Sequence, residues 1–359
     1  MIKRHIARAA ATLCLSAAAL PAFAAAGDLA SCSTLEDPAE RLACYDRLAG
    51  RDPGPAKSRS AIAADAAAVP ARGPTPAGAG LHAAKDHGFL SRYWELDPDD
   101  KRGTFNFTGY HPNFLLPAHY TSHLNGSPSS PTRASVTLPD YRNIEAKLQI
   151  SLRTKVIQDF GLPDGDLWFG YTQVSLWQVW NKQESAPFRS TDYSPELMYV
   201  APAPEAVRYL PFGWQWRFGQ LGLAHQSNGQ SDPLSRSWNR VYFGAGFERE
   251  DVSFIAHLWR RLSEAPDQDD NPDLTSYIGR GDFTLAWTPG LATTALTYRS
   301  TLRSLHRGSL QLDWTYPVRP SQPNGLRWYV QAFSGYGETL LDYNSRQTSL
   351  GLGLTLFNF

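Results

Sequence analysis

From about Phe105 onward the chain alternates apolar and polar positions with a period of two, in segments of roughly ten residues separated by turn-rich stretches. That period puts successive side chains on opposite faces of a strand, and about ten tilted residues cross a bilayer core. The pattern predicts strands over 113–121, 143–156, 166–180, 195–202, 213–226, 237–248, 251–262, 276–287, 291–301, 306–316, 326–336 and 346–357. Twelve such segments make an even count, as expected of a bacterial single-chain barrel. A soluble β-sandwich would also show many short alternating strands. Two features favour the barrel: an export signal at the start, and a final series Leu350, Leu352, Leu354 and Leu356 before the terminal Phe359. Phe357 and Phe359 have the opposite parity to the leucines, so the tail must include a bulge or leave the strand. The expected fold is all-β, a transmembrane antiparallel β-barrel of 12 strands.

The N-terminal part has a different pattern. Lys3, Arg4 and Arg8 precede an apolar run from Ala9 to Leu20, followed by Ala22-Phe23-Ala24 where a signal peptidase needs small residues. The run is short for a spanning helix and no stop-transfer charges follow it. The mature chain is expected to begin near Ala25, and Cys14 to leave with the signal. From Ser31 to Gly50 the sequence reads as a short helix, with Asp37 as N-cap, Pro38 at the first position, Glu40 closing a capping box and Gly50 as stop. Cys32 and Cys44 flank it; one local disulfide is the obvious pairing in an oxidising periplasm, and a metal site lacks nearby ligands. From Arg51 to about Ala84 the composition falls to Ala, Pro, Gly and Ser, a flexible linker. The expected organisation is a signal peptide over 1–24, a Cys-containing helical periplasmic module over 25–50, a linker over 51–84 and the barrel over 85–359.

Composition narrows the class further. No later stretch is apolar and uncharged for the ~20 residues a spanning helix needs, which excludes a helical membrane protein. Net charge is zero and no basic face stands out, so nothing points to nucleic acid. Aromatics are abundant (Trp 11, Tyr 16, Phe 17) against Met 2, and glycine is spread through apolar segments, as suits a barrel wall with aromatic girdles.

Between two predicted strands lies His225-Gln226-Ser227-Asn228-Gly229-Gln230-Ser231-Asp232-Pro233-Leu234-Ser235-Arg236-Ser237-Trp238-Asn239-Arg240. Its Asn-Gly and Asp-Pro steps are ordinary turn signals, and a polar loop is the simplest reading. Parity suggests more. Leu221, Leu223, His225 and Ser227 share one face on the way in; Asn239, Val241, Phe243, Ala245 and Phe247 share one on the way out. Both faces are apolar and lipid-facing, where an unpartnered polar group is costly. Mutual hydrogen bonding would resolve that cost and also make a nucleophile. His225 takes the Ser227 proton, while the Asn239 carbonyl holds the other ring nitrogen. Asn orients without the negative charge of an Asp, so a slower enzyme that leans on other electrostatic help is expected. Upstream, Trp214, Trp216 and Phe218 have the opposite parity to Leu221 and Leu223, which requires a face change near Gly219.

The stretch His225 to Arg240 closely resembles the signature of the outer membrane phospholipase A family. Tyr171-Thr172-Gln173, Ser185-Ala186-Pro187-Phe188-Arg189, Asp269-Asp270-Asn271-Pro272-Asp273 and Ser334 through Asn344 resemble it in the same order, covering about residue 105 to the C-terminus. The resemblance implies Ser227 as nucleophile, His225 as base and Asn239 as orienting residue. It implies the Gly229 backbone N–H in the oxyanion hole beside water on a catalytic Ca²⁺, and it implies Ca²⁺ ligands at the Ser235 hydroxyl and the backbone carbonyls of Ser185 and Gln230. Oxygen ligands suit that ion. Asp232 corresponds to a residue near an alternative ion position, and Gln173 to one at a dimer contact. Gln230 stands where the family pattern has Arg, and the Cys32 to Gly50 module with its linker exceeds the family's compact form.

The expected function is therefore Ca²⁺-dependent hydrolysis of glycerophospholipid acyl esters (1- or 2-acyl, and lysophospholipid) in the outer membrane. The active form is expected to be a homodimer with its site facing the outer leaflet. The alternative is a non-catalytic porin or structural barrel whose polar patch is only a loop. Gln173 belongs to an otherwise mostly apolar face, Leu167 through Val179, and in lipid it would lack hydrogen-bond partners unless a second chain supplied them.

Overall fold

The computed structural model describes residues 31–48, 88–304 and 306–356. The export signal, the linker and the terminal Phe357 and Phe359 lie outside the described residues. The chain divides into two compact units, Met1–Pro76 and Ala77–Phe359. In the first, helix α1 (Pro38–Leu48) starts at the expected cap. The Glu40 amide donates to Asp37 Oδ1 at 3.3 Å and the Arg41 amide to the Asp37 carbonyl at 3.0 Å. Cys32 and Cys44 are joined by a disulfide.

The second unit is a single sheet closed on itself. Its strands are β1 (Thr108–Gly109), β2 (Phe114–Thr121), β3 (Ile144–Ile157), β4 (Asp166–Trp177), β5 (Phe188–Pro202), β6 (Gln215–Ser227), β7 (Ser237–Arg249), β8 (Val252–Arg261), β9 (Gly281–Trp287), β10 (Thr293–Ser300), β11 (Gly308–Pro317), β12 (Arg327–Gly335) and β13 (Gln347–Thr355). Strands β2 to β13 pair antiparallel with their chain neighbours, and β13 returns to β2, so twelve strands form the ring; the two-residue β1 is an addition on β3. Closure leaves the wall no free edge. The faces are inverted relative to a soluble protein. Leu221, Leu223, Phe243, Leu310, Leu312, Trp328, Leu350 and Leu352 are exposed on the outside, while Glu145, Lys147, Arg189, Asp192, Asp313 and Gln331 are buried within. An apolar exterior and polar interior is the pattern of a membrane barrel and excludes the sandwich. No described helix is long and apolar enough to cross a membrane.

Two predicted strands differ from those observed in where they start. The fourth was placed at 195–202 and runs over Phe188–Pro202, because a bulge between Phe188 and Ser190 breaks the parity, so that Arg189 and Asp192 are both buried, and Pro195 looks like a turn. Ser194 and Pro195 pair with β4 but not with β6, as fits a residue with no N–H to give. The eighth was begun at 276, whereas Leu274–Ser276 is a 3-10 turn and β9 starts at Gly281. The face change in β6 is a bulge: Trp216 pairs with Phe247 and Phe218 with Gly246, leaving Arg217 extra. Phe218 therefore points inward and is fully buried, unlike Trp216. A second bulge lies in β2 at Pro117, where Leu116 and His119 face in and Pro117 and Ala118 both face out. It shifts the pairing with β13 between Leu352 and Leu354, with the extra residue in β2, so the leucine series keeps its parity.

Two elements fill the lumen. The helix α2 (Phe89–Trp94) packs Leu90 and Trp94 against Trp168, Phe218 and Tyr110. Its N-terminus is tied down by the Leu90 amide donating to Glu248 Oε2 at 3.0 Å. The connection after β12 folds inward and sets Glu338 against His119 (3.0 Å) and Lys147 (2.9 Å). It also sets Asp342 against Arg189 (2.8 Å).

Candidate active site

The β6–β7 pair delivers its polar groups to one spot by register. His225 stands directly opposite Asn239, and Ser227 opposite Ser237 at the hairpin mouth. Alternation puts His225 and Ser227 on the outer face with Leu221 and Leu223. Gln226 points the other way and accepts from Trp238 Nε1 at 3.1 Å. His225 Nδ1 and Asn239 Oδ1 are 2.9 Å apart. Of the two bonds the sequence led us to expect, this one is formed. Ser227 and His225 are roughly 7 Å apart along the strand, two steps of about 3.3–3.4 Å, and the Ser227 hydroxyl has no hydrogen-bond partner among the described residues. Bonds of this kind are often long until substrate is bound.

The loop beyond Ser227 is pinned by a residue that sequence reasoning treated only as a turn former. Asn228 is 2 % exposed; its amide donates to the Leu234 carbonyl at 2.8 Å, and its carbonyl accepts from the Arg236 and Gln230 amides at 2.9 and 3.3 Å. Gly229 follows with φ +63, and a Cβ there would meet Tyr193 Cε2 at 2.9 Å, so only glycine fits without strain. The left-handed turn fixes the backbone N–H groups of this loop relative to Ser227. Gln230 and Ser235 sit on the same pinned loop.

The long connection between β8 and β9 forms a second wall behind the loop. Ser235 Oγ donates to Asp270 Oδ2 at 2.5 Å, the Ser237 amide to Asn271 Oδ1 at 3.1 Å, and Asn239 Nδ2 to Glu264 Oε1 at 2.9 Å. Leu274 and Ile278 pack beneath against Trp238, Leu340 and Tyr343. Burial and a hydrogen bond to Asp273 push the Tyr343 phenol well above its ordinary range. Asp270 and Asn271 belonged to a motif quoted only for its resemblance; Glu264 carried no signal, being a lone charge in a loop far along the chain.

The expected cation ligands come from two connections, β4–β5 and β6–β7. Ser235 commits its proton to Asp270, which leaves its lone pairs available, and the Gln230 carbonyl lies in the same loop. Ser185 caps the 3-10 turn Lys182–Glu184 between β4 and β5, and among the described residues no hydrogen bond joins it to the β6–β7 loop. Asp232, two-thirds exposed, is paired with Arg133 Nε at 2.9 Å, and the same guanidinium holds Asp270. Among the described residues no group of three or more His, Cys, Asp or Glu could hold a metal. A cation here would rest on hydroxyl and carbonyl oxygens, a donor set that fits a hard ion such as Ca²⁺.

Gln173 corrects one expectation. Its carbonyl accepts from the Tyr171 hydroxyl at 3.1 Å and its amide donates to Ser175 at 3.4 Å, with Thr191 extending the chain to Ser175 at 3.0 Å. The side chain thus has partners within its own wall, because alternate residues of one strand face lie close enough for a ladder of polar tips. One amide hydrogen and part of the carbonyl capacity remain.

The chain is similar to known proteins over most of the barrel. A family model described as Phospholipase A1 matches residues 90–356. A Neisseria meningitidis serogroup B protein provisionally named phospholipase A1 is 36% identical over 371 residues, covering 94% of this chain and 93% of its own. The phospholipase A1 of Escherichia coli K12 is 36% identical over 215 residues, covering 60% and 70%. Among solved structures, the Escherichia coli outer membrane phospholipase A superposes with TM-score 0.60 and 32% identity over 70% of this chain and 94% of its own. The Salmonella typhi outer membrane phospholipase, solved as a dimer with bound calcium, gives 0.61 and 32% over 72% and 94%.

Proposed function

The chain belongs to the phospholipase A1 family, and as an outer-membrane phospholipase of that family we propose that it cleaves acyl esters through Ser227, His225 and Asn239. The observation that carries the reading is the 2.9 Å contact of His225 Nδ1 with Asn239 Oδ1, with Ser227 two residues away on the same lipid-facing side. A carbonyl opposite Nδ1 fixes the tautomer with its proton there, so Nε2 is the base. As Ser227 Oγ bonds to the ester carbonyl carbon, its proton passes to His225 Nε2. The tetrahedral oxygen, now negative, takes the Gly229 N–H. Collapse breaks the ester C–O bond; His225 returns the proton to the departing glycerol oxygen, and the acyl group stays on Ser227. Water then gives its proton to His225 and its oxygen to the acyl carbon, and fatty acid leaves as Ser227 regains its hydrogen.

The Ser235 hydroxyl and the Gln230 and Ser185 carbonyls would hold Ca²⁺, with Asp232 at an alternative position. When bound, the ion supplies positive charge near the developing oxyanion. Arg133 already neutralises Asp232 and Asp270, so the cation contributes where the oxygens are uncharged. The substrate is glycerophospholipid of the outer leaflet, at the 1- or 2-acyl ester and at the remaining ester of the lyso product. The active form is a homodimer in which the spare hydrogen-bonding capacity of Gln173 meets its two-fold mate. Residues 1–24 serve as the export signal, 25–50 as a periplasmic module and 51–84 as its tether.

Fatty-acid release from mixed micelles by refolded protein tests the reading. Ser227→Ala should abolish it while the unheated barrel still migrates as a folded species. Retained release would remove Ser227 as the nucleophile, and no release by the unaltered protein would leave the porin or structural barrel as the better account. Chelating Ca²⁺ should stop turnover and weaken self-association together, because an ion bound preferentially by the dimer stabilises it. Full turnover by a monomeric, chelated sample, measured alongside its sedimentation, would refute that coupling.

A further inference from the structure

The Asn239 amide has one end that only accepts and one that only donates. The end facing Glu264 Oε1 at 2.9 Å must be the donor, because an ionised carboxylate only accepts. The other end, the carbonyl, is thereby turned to His225 Nδ1. We infer that Glu264 is a positioning residue of this site, whose carboxylate sets the orientation of the Asn239 amide and through it the tautomer of His225. The inference rests on the triad reading above and extends it by one residue. Were the amide reversed, its NH₂ would face Nδ1 and demand a bare nitrogen there; the proton would move to Nε2 and the base toward Ser227 would be lost.

The fold holds Glu264 at this spot by two independent contacts. The Leu262 amide donates to the Asn239 carbonyl at 2.9 Å, so the chain leaving β8 stays paired with β7 past the Arg240 and Arg261 pair. Glu264 lies two residues on, with the parity that returns its side chain to Asn239. Its second oxygen is held by Arg261 Nη2 at 3.1 Å, and Arg261 is itself fixed to Asp269 at 2.6 Å and to the Asn271 carbonyl at 2.6 Å. The Glu264 side chain is only 17% exposed. A neutral amide beside the imidazole lacks the charge that an Asp would bring, and Glu264 supplies that charge one hydrogen bond further out.

The test is a double-mutant cycle with a spectroscopic arm, on refolded full-length barrel in detergent with Ca²⁺. Glu264→Gln, which can donate as well as accept, should lower kcat roughly tenfold with KM unchanged, since only orientation of the base is lost. In an Asn239→Ala background the factor separating Glu264 from its Gln variant should shrink to about one, because the relay is already cut. Ring-nitrogen NMR of His225 in Ser227→Ala protein should report one tautomer, protonated at Nδ1, and a mixture once Glu264→Gln is added. Equal factors in both backgrounds, or an unchanged tautomer, would overturn the inference while leaving the triad standing. Turnover by Ser227→Ala would overturn the triad and this inference with it.

Discussion

Two histidines in this wall sit in opposite surroundings. His119 lies in the lumen, fully buried, with Nε2 on Glu338 Oε1 at 3.0 Å; the same oxygen takes Lys147 at 2.9 Å and Ser349 at 2.8 Å. His225 lies on the outer face, partly exposed, against the neutral Asn239, beside a Ser227 hydroxyl with no hydrogen bond among the described residues. The first cluster brings opposite charges together out of contact with bulk solvent, which ties the inward fold after β12 to the wall. The second is orderly on one side of the ring and open on the other. A polar cluster whose donors converge on one buried carboxylate oxygen holds structure, and one with an open position beside an oriented base has room for a substrate.

The difference can be broken first at the nucleophile's base. His225→Ala should cut turnover by a factor on the order of 10⁴–10⁶ with the unfolding midpoint unchanged, whereas His119→Ala should shift the midpoint and spare turnover per folded molecule. Parallel denaturation and micelle assays would expose any reversal. Next, Glu338→Ala strands Lys147 in the lumen and should cost about 3–5 kcal/mol of stability by chemical unfolding in detergent. A loss under 1 kcal/mol would mean that water already satisfies the cluster. Third, Asn239→Ala should reduce kcat by roughly 10²-fold and leave measurable activity, because Asn239 moves no proton. Inactivity equal to that of Ser227→Ala, with the barrel folded, would assign Asn239 a stronger role.

Acid gives a smaller effect of predictable sign. Burial alone would raise the Glu338 carboxyl, but the Lys147 ammonium and the His119 ring outweigh it and hold it well below the usual carboxylate range. Its folded value is thus below its unfolded one, so its contribution to stability is complete above about pH 5 and is lost only as pH falls toward the folded value. Unfolding midpoints from pH 8 to pH 5 should show no loss from this group; a loss beginning near pH 6 that Glu338→Gln removes would contradict the sign. Smallest of all, Gln173→Ala should weaken dimerisation by about 1 kcal/mol in sedimentation, since its intrachain bonds to Tyr171 and Ser175 already meet part of its demand.

Much of this molecule was legible before any coordinates. Period-two alternation located all twelve barrel strands, because lipid outside and polar lumen inside impose opposite demands on alternate residues. It failed where the strand is irregular or absent: at Phe188 to Ser194, where a bulge breaks the parity, and at 276–280, which packs beneath the site instead of joining the wall. Asp37 announced its helix because a cap is a local interaction between residues three apart. His225, Ser227 and Asn239 were readable for a related reason, since one hairpin with a fixed register relates their positions by parity.

What sequence by itself determined, then, is whatever depends on neighbours along a strand or across a hairpin: the strands, their faces, and the shared outer face of the triad residues. Only the tertiary structure decided that Glu264 meets Asn239 and that Arg133 spans Asp232 and Asp270. It likewise decided that Gln173 is partnered within its own wall. Those contacts are made by side chains whose approach depends on how long loops fold over the barrel mouth and which tips meet along a twisted wall. No periodicity records that, because a loop residue is placed by the backbone bonds of its whole connection and by what it packs against.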